Sequence, residues 1–223
     1  MRDVATLQRI ARELRMDIVE MIYRAASGHP GGSLSIAELL TALYFDEMNH
    51  SPDRKGTPGV DASTGSLGLG VSAACGMAKA AKIYGDSYRV YTLLGDGEME
   101  EGSVWEALMF AAHYKLDNLC VMVDQNGLQI DGPVCDVMNV QPLDQKLAAF
   151  GFEVAVIDGH DFPAIFDAFD RARRTKGAPF AIVAKTVKGK GVSFMENNAS
   201  WHGSAPNAEQ YEQAMAELGR EEG

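Results

Sequence analysis

At 223 residues, 46% hydrophobic and 23% charged, the chain is long enough for one well-buried α/β domain and has the composition of an ordinary soluble protein. A net charge of −11 argues against nucleic acid or an anionic membrane as partner. A phosphate-bearing ligand would have to be met by local amides, a metal ion or histidines.

The amino terminus, Met1-Arg2-Asp3-Val4, carries no evident signal peptide, and no run approaches membrane-spanning length, so a cytoplasmic protein of bacterial type is expected. Cys75, Cys120 and Cys135 lack metal-ligand spacing and read as buried free thiols of a reducing compartment. Leu7, Ile10, Ala11, Leu14, Ile18, Met21, Ile22 and Ala25 recur at helical spacing and predict a long first helix. Ser27-Gly28-His29-Pro30-Gly31-Gly32 is too rich in Gly and Pro to continue it. Ser35-Ile36-Ala37-Glu38 has the form of a capping box and predicts a helix from about Ile36 to Met48. A polar stretch, Asn49–Thr64, follows, and Thr64–Gly70 opens a third helix over Val71–Tyr84.

From Val90 the pattern alternates. Val90–Leu94 reads as a buried strand, Val104–Tyr114 as a helix and Leu119–Val123 as a second buried strand. A loop over Gly127–Val140 leads to a helix near Pro142–Phe150, a strand Glu153–Ile157, a helix Pro163–Thr175 and a strand Phe180–Thr186. Strands and helices alternating with short links imply an α/β fold: a parallel sheet with helices on both faces, in a single domain spanning 1–223. A Gly-, Asn- and Ser-rich tail holding Trp201-His202-Gly203 precedes a short helix, about Ala208–Leu218.

Gly95-Asp96-Gly97 closes one strand and Asp124-Gln125-Asn126 the next, so Asp96 and Asn126 fall at the carboxyl ends of adjacent strands, where open parallel sheets bind ligands. A carboxylate and an amide oxygen there suit Mg²⁺ or Ca²⁺, and the flanking glycines let backbone approach a phosphate. Ser103-Val104-Trp105-Glu106 has capping-box form and aims a helix amino terminus at the same edge. Gly65–Gly70 offers a second run of amides ahead of a helix. Glu98, Glu100 and Glu101 are acids of the kind favoured near a helix start, yet beside a phosphate they would be costly unless a cation or a proton relay used one. His29 and His202 sit in Gly-flanked loops at the expected ligand edge and are candidates for substrate oxygens or proton transfer; His50, His113 and His160 have no such setting. Lys185–Lys190 reads as a solvated basic turn or part of an anion lid. No Gly-x-Gly-x-x-Gly opens a βαβ helix, which disfavours a dinucleotide binder.

Taken together, Ser27–Gly31, Gly65–Gly70, Gly95–Gly102, Asp124–Asn126, Thr186–Gly191 and Trp201–Gly203 resemble, in family order and across nearly the whole chain, the amino-terminal diphosphate-binding part of the transketolases, which use thiamine diphosphate. The related deoxyxylulose-phosphate synthases fit less well around Ser27–Gly31 and Gly95–Gly102. The resemblance implies that Asp96, the Asn126 side-chain oxygen and the Leu128 carbonyl ligate the metal. It implies that Gly65, Leu67, Gly95, Gly97, Asn126 and His202 hold the cofactor, that His29 and His202 face the reacting carbon and the donor ketose, and that Glu101 belongs to a proton network joining two active sites. The implied reaction transfers a two-carbon ketol unit from a ketose to an aldose, both sugar phosphates.

The family's pyrimidine-binding domain does not fit in 223 residues. The resemblance therefore implies one half of a split enzyme: an amino-terminal subunit that works with a carboxy-terminal subunit, in a dimer of heterodimers. The family also carries a segment between positions equivalent to Lys55 and Gly56, with a Ser-Lys-Gly-His motif, and Leu69 stands where Gln is usual. A true deletion there would remove one βα unit and part of the diphosphate cradle. The alternative function is a non-catalytic cofactor-binding or assembly subunit of the same fold.

Overall fold

A computed structural model describes residues 3–49 and 57–219; the Lys55–Gly56 junction lies outside the described residues. Helix α1 (Val4–Ala25) starts on Asp3, whose carboxylate accepts the Thr6 amide, and turns Leu7, Ala11, Ile18 and Val19 inward. It ends at Ala26, as the Gly- and Pro-rich stretch predicts. Pro30, however, opens the next helix instead of only breaking the first. At the first helical position its missing N–H is no loss, and α2 (Pro30–Ser35) runs into α3 (Ala37–Ala42) and a π-helical turn, Leu43–Glu47. The capping box expected at Ser35 is not formed. Its hydroxyl, with one proton to give, lies between two acceptors, the Gly32 carbonyl at 2.7 Å and Asp124 at 2.6 Å, and Glu38 is turned toward Arg15.

From residue 57 onward come α4 (Leu69–Tyr84), β1 (Val90–Gly95), a 3-10 turn over Glu98–Glu100, α5 (Gly102–His113) and β2 (Leu119–Gln125). The second expected capping box also fails. Helix α5 is capped by Glu101 without a side-chain bond, and Ser103 donates to the Gly68 carbonyl at 3.3 Å. The predicted loop after β2 contains a small hairpin, β3 (Leu128–Gln129) with β4 (Gly132–Pro133), and α6 (Val134–Val137). Then follow α7 (Leu143–Ala149), β5 (Glu153–Asp158), α8 (Phe162–Arg174), β6 (Phe180–Lys185), a 3-10 turn over Ala199–Trp201 and α9 (Ala208–Leu218), whose capping box, Asn207 with Gln210, is complete.

The sheet is all parallel in the order β1-β2-β6-β5. Both faces are covered, so alternate residues of each strand enter different cores. Val121, Val123, Ala181 and Val183 pack with α4, α5 and α7; Cys120, Met122, Phe180 and Ile182 pack with α1, α3 and α8. A third cluster, Ile18, Leu34, Val192, Met195, Trp201 and Leu218, fastens the tail to α1. Cys75 and Cys120 are buried free thiols, their pKa values pushed up by burial to about 11 and about 12; Cys135 departs from expectation and is exposed. No described helix is long and apolar enough to cross a membrane.

Chain order fixes where a ligand can enter. From β2 the chain skips to the edge strand β5 and returns to fill the gap with β6, so strand order reverses between β2 and β6. The carboxyl ends of those two neighbours therefore flank a crevice at a topological switch point.

Candidate functional site

Asp96 follows β1 and is 1% exposed. Its two oxygens accept the Gly97 amide at 3.0 Å and the Gly127 amide at 2.6 Å. The second bond brings the segment carrying Asn126 against Asp96. The Asp96 pKa is raised to about 6, chiefly by burial and also by nearby Asp124, which together outweigh the lowering effects of those amides and of Lys188. A carboxylate held this way is short of positive charge.

Asp124, the next-to-last residue of β2, is buried and accepts from Ser35, from the Asn126 amide nitrogen at 2.8 Å and from the Thr186 hydroxyl. With its nitrogen engaged there, Asn126 presents Oδ1 on the other side, where it accepts the Leu128 amide at 3.0 Å. One lone pair of that oxygen is left over. The amide orientation is thus set by two bonds that agree.

Lys188 comes in from the loop after β6 and is 2% exposed. Its ammonium donates to the Leu128 carbonyl at 3.2 Å and lies 3.0 Å from His202 Nδ1. Burial lowers its pKa although Asp124 and Asp96 pull the other way. His202 is lowered too, first by burial, then by Lys188 and by His29. The rings of His202 and His29 meet edge-on at 5.5 Å.

Asp96, Asn126, Leu128, His29 and His202 are therefore brought into one continuous cluster at the switch point. Glu101 stands apart, exposed at the start of α5. Of its two acidic neighbours, Glu98 accepts the Gly68 amide at 2.9 Å and the Gly95 amide at 3.2 Å, and Glu100 accepts the Gln129 side-chain amide at 2.9 Å. Both acids hold scaffold together: Glu98 ties the Gly65–Gly70 turn to the end of β1, and Glu100 ties down the hairpin. Gly68 fits there because its φ is +80° and a Cβ would lie 2.5 Å from Ser103 Oγ.

The Gly95 and Gly97 amides, offered by the sequence to an anion, donate here to Glu98 and Asp96. What Gly65 and Gly95 present is open, side-chain-free surface: a Cβ at either would meet nothing within 4 Å. Leu67 is 63% exposed beside it. Sequence reasoning missed Lys188, Asp124, Ser35 and Thr186 as members of the cluster. Asp124 had a visible signal, an acid ending an otherwise apolar strand. Lys188 had only a run of lysines in which nothing marked the inward one.

Among the described residues no three His, Cys, Asp or Glu side chains gather as a metal cluster. The donor set is instead one carboxylate, one amide oxygen and one carbonyl. All are hard oxygens, which fit Mg²⁺ or Ca²⁺ and not a soft metal. Asp96, Asp124 and Lys188 leave the buried cluster one negative charge in excess, and a divalent cation would reverse that sign in favour of a diphosphate. The residues fit a metal-bridged diphosphate.

Residues 48–222 match the family described as "Transketolase, thiamine diphosphate binding domain". The chain is 36% identical to a subunit of the apulose-4-phosphate transketolase of Phocaeicola vulgatus, covering 96% of this chain and 94% of that one. It is also 36% identical to the 6-deoxy-6-sulfo-D-fructose transketolase subunit SqwG of a Clostridium species, over 96% and 97% of the two chains. The first alignment runs over 265 positions, so at least 42 positions of the relative find no counterpart among these 223 residues. Among solved structures, transketolase from Campylobacter jejuni superposes with a TM-score of 0.90 at 29% identity, over 98% of this chain and 43% of that one.

Proposed function

The chain belongs to the transketolase family, and from that membership we propose that it is the amino-terminal subunit of a two-chain transketolase that transfers a two-carbon ketol unit from a ketose to an aldose. The observation that carries this reading is the oxygen set of buried Asp96 with half-buried Asn126 and Leu128 at the switch point, with Lys188 and two histidines against it. When bound, thiamine diphosphate supplies the carbanion-stabilising ring on which such transfers depend.

This chain's residues bind and orient. Asp96, the Asn126 side-chain oxygen and the Leu128 carbonyl hold Mg²⁺ or Ca²⁺, and the Lys188 ammonium meets diphosphate charge from the β6 side. Gly65, Leu67, Gly95 and Gly97 form the wall on which the cofactor lies. His202, its pKa lowered first by burial, can hydrogen-bond the cofactor or donor sugar through the ring nitrogen that Lys188 does not engage. His29, in edge contact with it, faces the substrate side. Glu101, exposed and free of the scaffold duties of Glu98 and Glu100, serves the proton network between paired active sites.

Two relatives are subunits by name, and this chain spans less than half of the Campylobacter chain. The partner we propose is a carboxy-terminal subunit carrying the pyrimidine-binding domain, in a dimer of heterodimers acting on sugar phosphates in the cytoplasm. The purified chain alone should show no ketol transfer, and addition of the partner with thiamine diphosphate and Mg²⁺ should restore it; turnover by the chain alone would refute the split arrangement.

The unmatched positions of the relative favour one competing reading, a non-catalytic cofactor-binding or assembly subunit, and we place them at the Lys55–Gly56 junction. Intact mass well above 24.1 kDa would show that the segment is present in the protein. Calorimetric titration with thiamine diphosphate and Mg²⁺, with and without partner, separates the readings: no binding in either state supports the assembly role.

A further inference from the structure

We infer that Arg15, Glu38 and His160 form a buried relay that fixes the Val187 peptide and so aims Lys188 into the diphosphate site; His160 is a positioning residue. The inference rests on the reading of that site given above.

The relay joins four parts of the chain. Arg15 on α1 meets Glu38 on α3 through two parallel bonds of 2.6 and 2.7 Å, and its Nε donates to the Leu34 carbonyl at 3.2 Å. Glu38 Oε2 also lies 3.0 Å from His160 Nδ1, in the turn between β5 and α8. On the far side of the ring, the Val187 amide donates to His160 Nε2 at 3.0 Å. A backbone N–H can only donate, so Nε2 accepts and the ring proton sits on Nδ1, directed at Glu38. Every polar atom of the imidazole is used, and the tautomer is dictated from both ends.

Geometry around the turn enforces the contact. The Gly159 amide donates to the Lys185 carbonyl at 2.8 Å, and a Cβ on Gly159 would come within 2.5 Å of Thr186 Cγ2. The turn thus lies flat on the strand end, leaving His160 level with Val187. Thr186 is bonded to Asp124 and Gly189 to the Gly31 carbonyl, so the peptide between residues 186 and 189 is held on both sides. Lys188 is the residue directly after the one His160 grips. An ammonium that is desolvated and short of full compensation returns to water unless its backbone is held, and the relay supplies that hold.

A merely structural ion pair would stabilise the fold without regard to cofactor, and three measurements separate the two cases. The ¹⁵N resonances of His160 in the unliganded chain should report the Nδ1–H tautomer; an Nε2–H tautomer would overturn the relay whatever the site binds. In the assembled two-chain protein, Lys188→Met should weaken thiamine diphosphate binding in Mg²⁺ by about 10- to 100-fold, the range for a lost hydrogen bond to a charged group. His160→Phe, which keeps a planar ring and removes both nitrogens, should weaken it by about 10-fold.

Combined, Lys188→Met and His160→Phe should bind no worse than Lys188→Met alone, because both act through one ammonium. His160→Gln, whose amide can accept from Val187 and donate to Glu38, should stay within about 3-fold of wild type, which keeps the test open if the Phe variant does not fold. Additive losses in the double variant, or unchanged affinity in His160→Phe, would refute positioning while leaving the site reading intact. An unchanged affinity in Lys188→Met would instead refute the site reading, and the positioning role with it.

Discussion

Replacing Glu38 by Gln tests the electrostatics of the scaffold under the site. Glu38 is 8% exposed. Burial alone would raise its pKa, but the hydrogen bond to His160, the bonds from Arg15 and the charge of Arg15 outweigh burial and bring it from 4.5 down to about 2. A depressed carboxylate stabilises the fold above its unfolded pKa and loses that contribution as pH falls through the folded value. The shift corresponds to about 3 kcal/mol at pH 7, falling to roughly half that at pH 3. At neutral pH, Glu38→Gln also leaves Arg15 buried without its partner, a loss of about 3–5 kcal/mol. Urea unfolding followed by circular dichroism should therefore show a large deficit for the variant at pH 7 that narrows by about 2 kcal/mol at pH 3. A deficit that stays constant across that window would refute the account, since it would mean that Glu38 acts by shape and not by charge.

Asp96→Asn keeps the side-chain size but removes the only carboxylate of the metal set, and should weaken Mg²⁺-dependent thiamine diphosphate binding by about 100-fold in calorimetry; unchanged affinity would remove Asp96 from the ligands. Gly159→Ala drives a methyl against Thr186, Ala184 and the Lys185 carbonyl, and should cost about 1–3 kcal/mol, read as a lower melting temperature. Phe169→Ala empties a fully buried position on the α8 face of the sheet and should cost about 3–5 kcal/mol in urea unfolding.

The sheet was legible because it is buried on both faces: runs such as Leu119–Val123 and Phe180–Ala184 are apolar throughout, as strands with both faces covered must be. The closeness of Asp96 and Asn126 was legible because a carboxylate and an amide at matching strand ends satisfy a simple rule; Leu128 came only from the resemblance. What stayed hidden was hidden for physical reasons. Both capping boxes, at Ser35 and Ser103, fail because the helix boundaries fall elsewhere: Ser35 closes α2 and Ser103 is already the second residue of α5, and their hydroxyls donate to tertiary acceptors, Asp124 and the Gly68 carbonyl. Pro30 reads as a breaker unless the following turn is known to be helical. His160 looked idle because each of its partners lies far along the chain, Glu38 before it and Val187 after it.

The same hidden contacts explain how a chain of net charge −11 can present a site for an anion. Bulk field works against the ligand, so positive charge must be local, and a local ammonium is useful only if it is desolvated and already aimed. Lys188 meets both conditions at a cost visible in its lowered pKa, and Asp96 carries the opposite strain in its raised one. Neither group is comfortable in the unliganded protein. Each would be relieved by its proposed ligand, the diphosphate for the lysine and the cation for the aspartate. The scaffold that tolerates this strain is the well-satisfied one beside it: Arg15 and Glu38 paired twice over, His160 bonded at both nitrogens, Asp124 accepting from three side chains. Satisfied polar groups hold unsatisfied ones in place, and in this chain that division separates support from site.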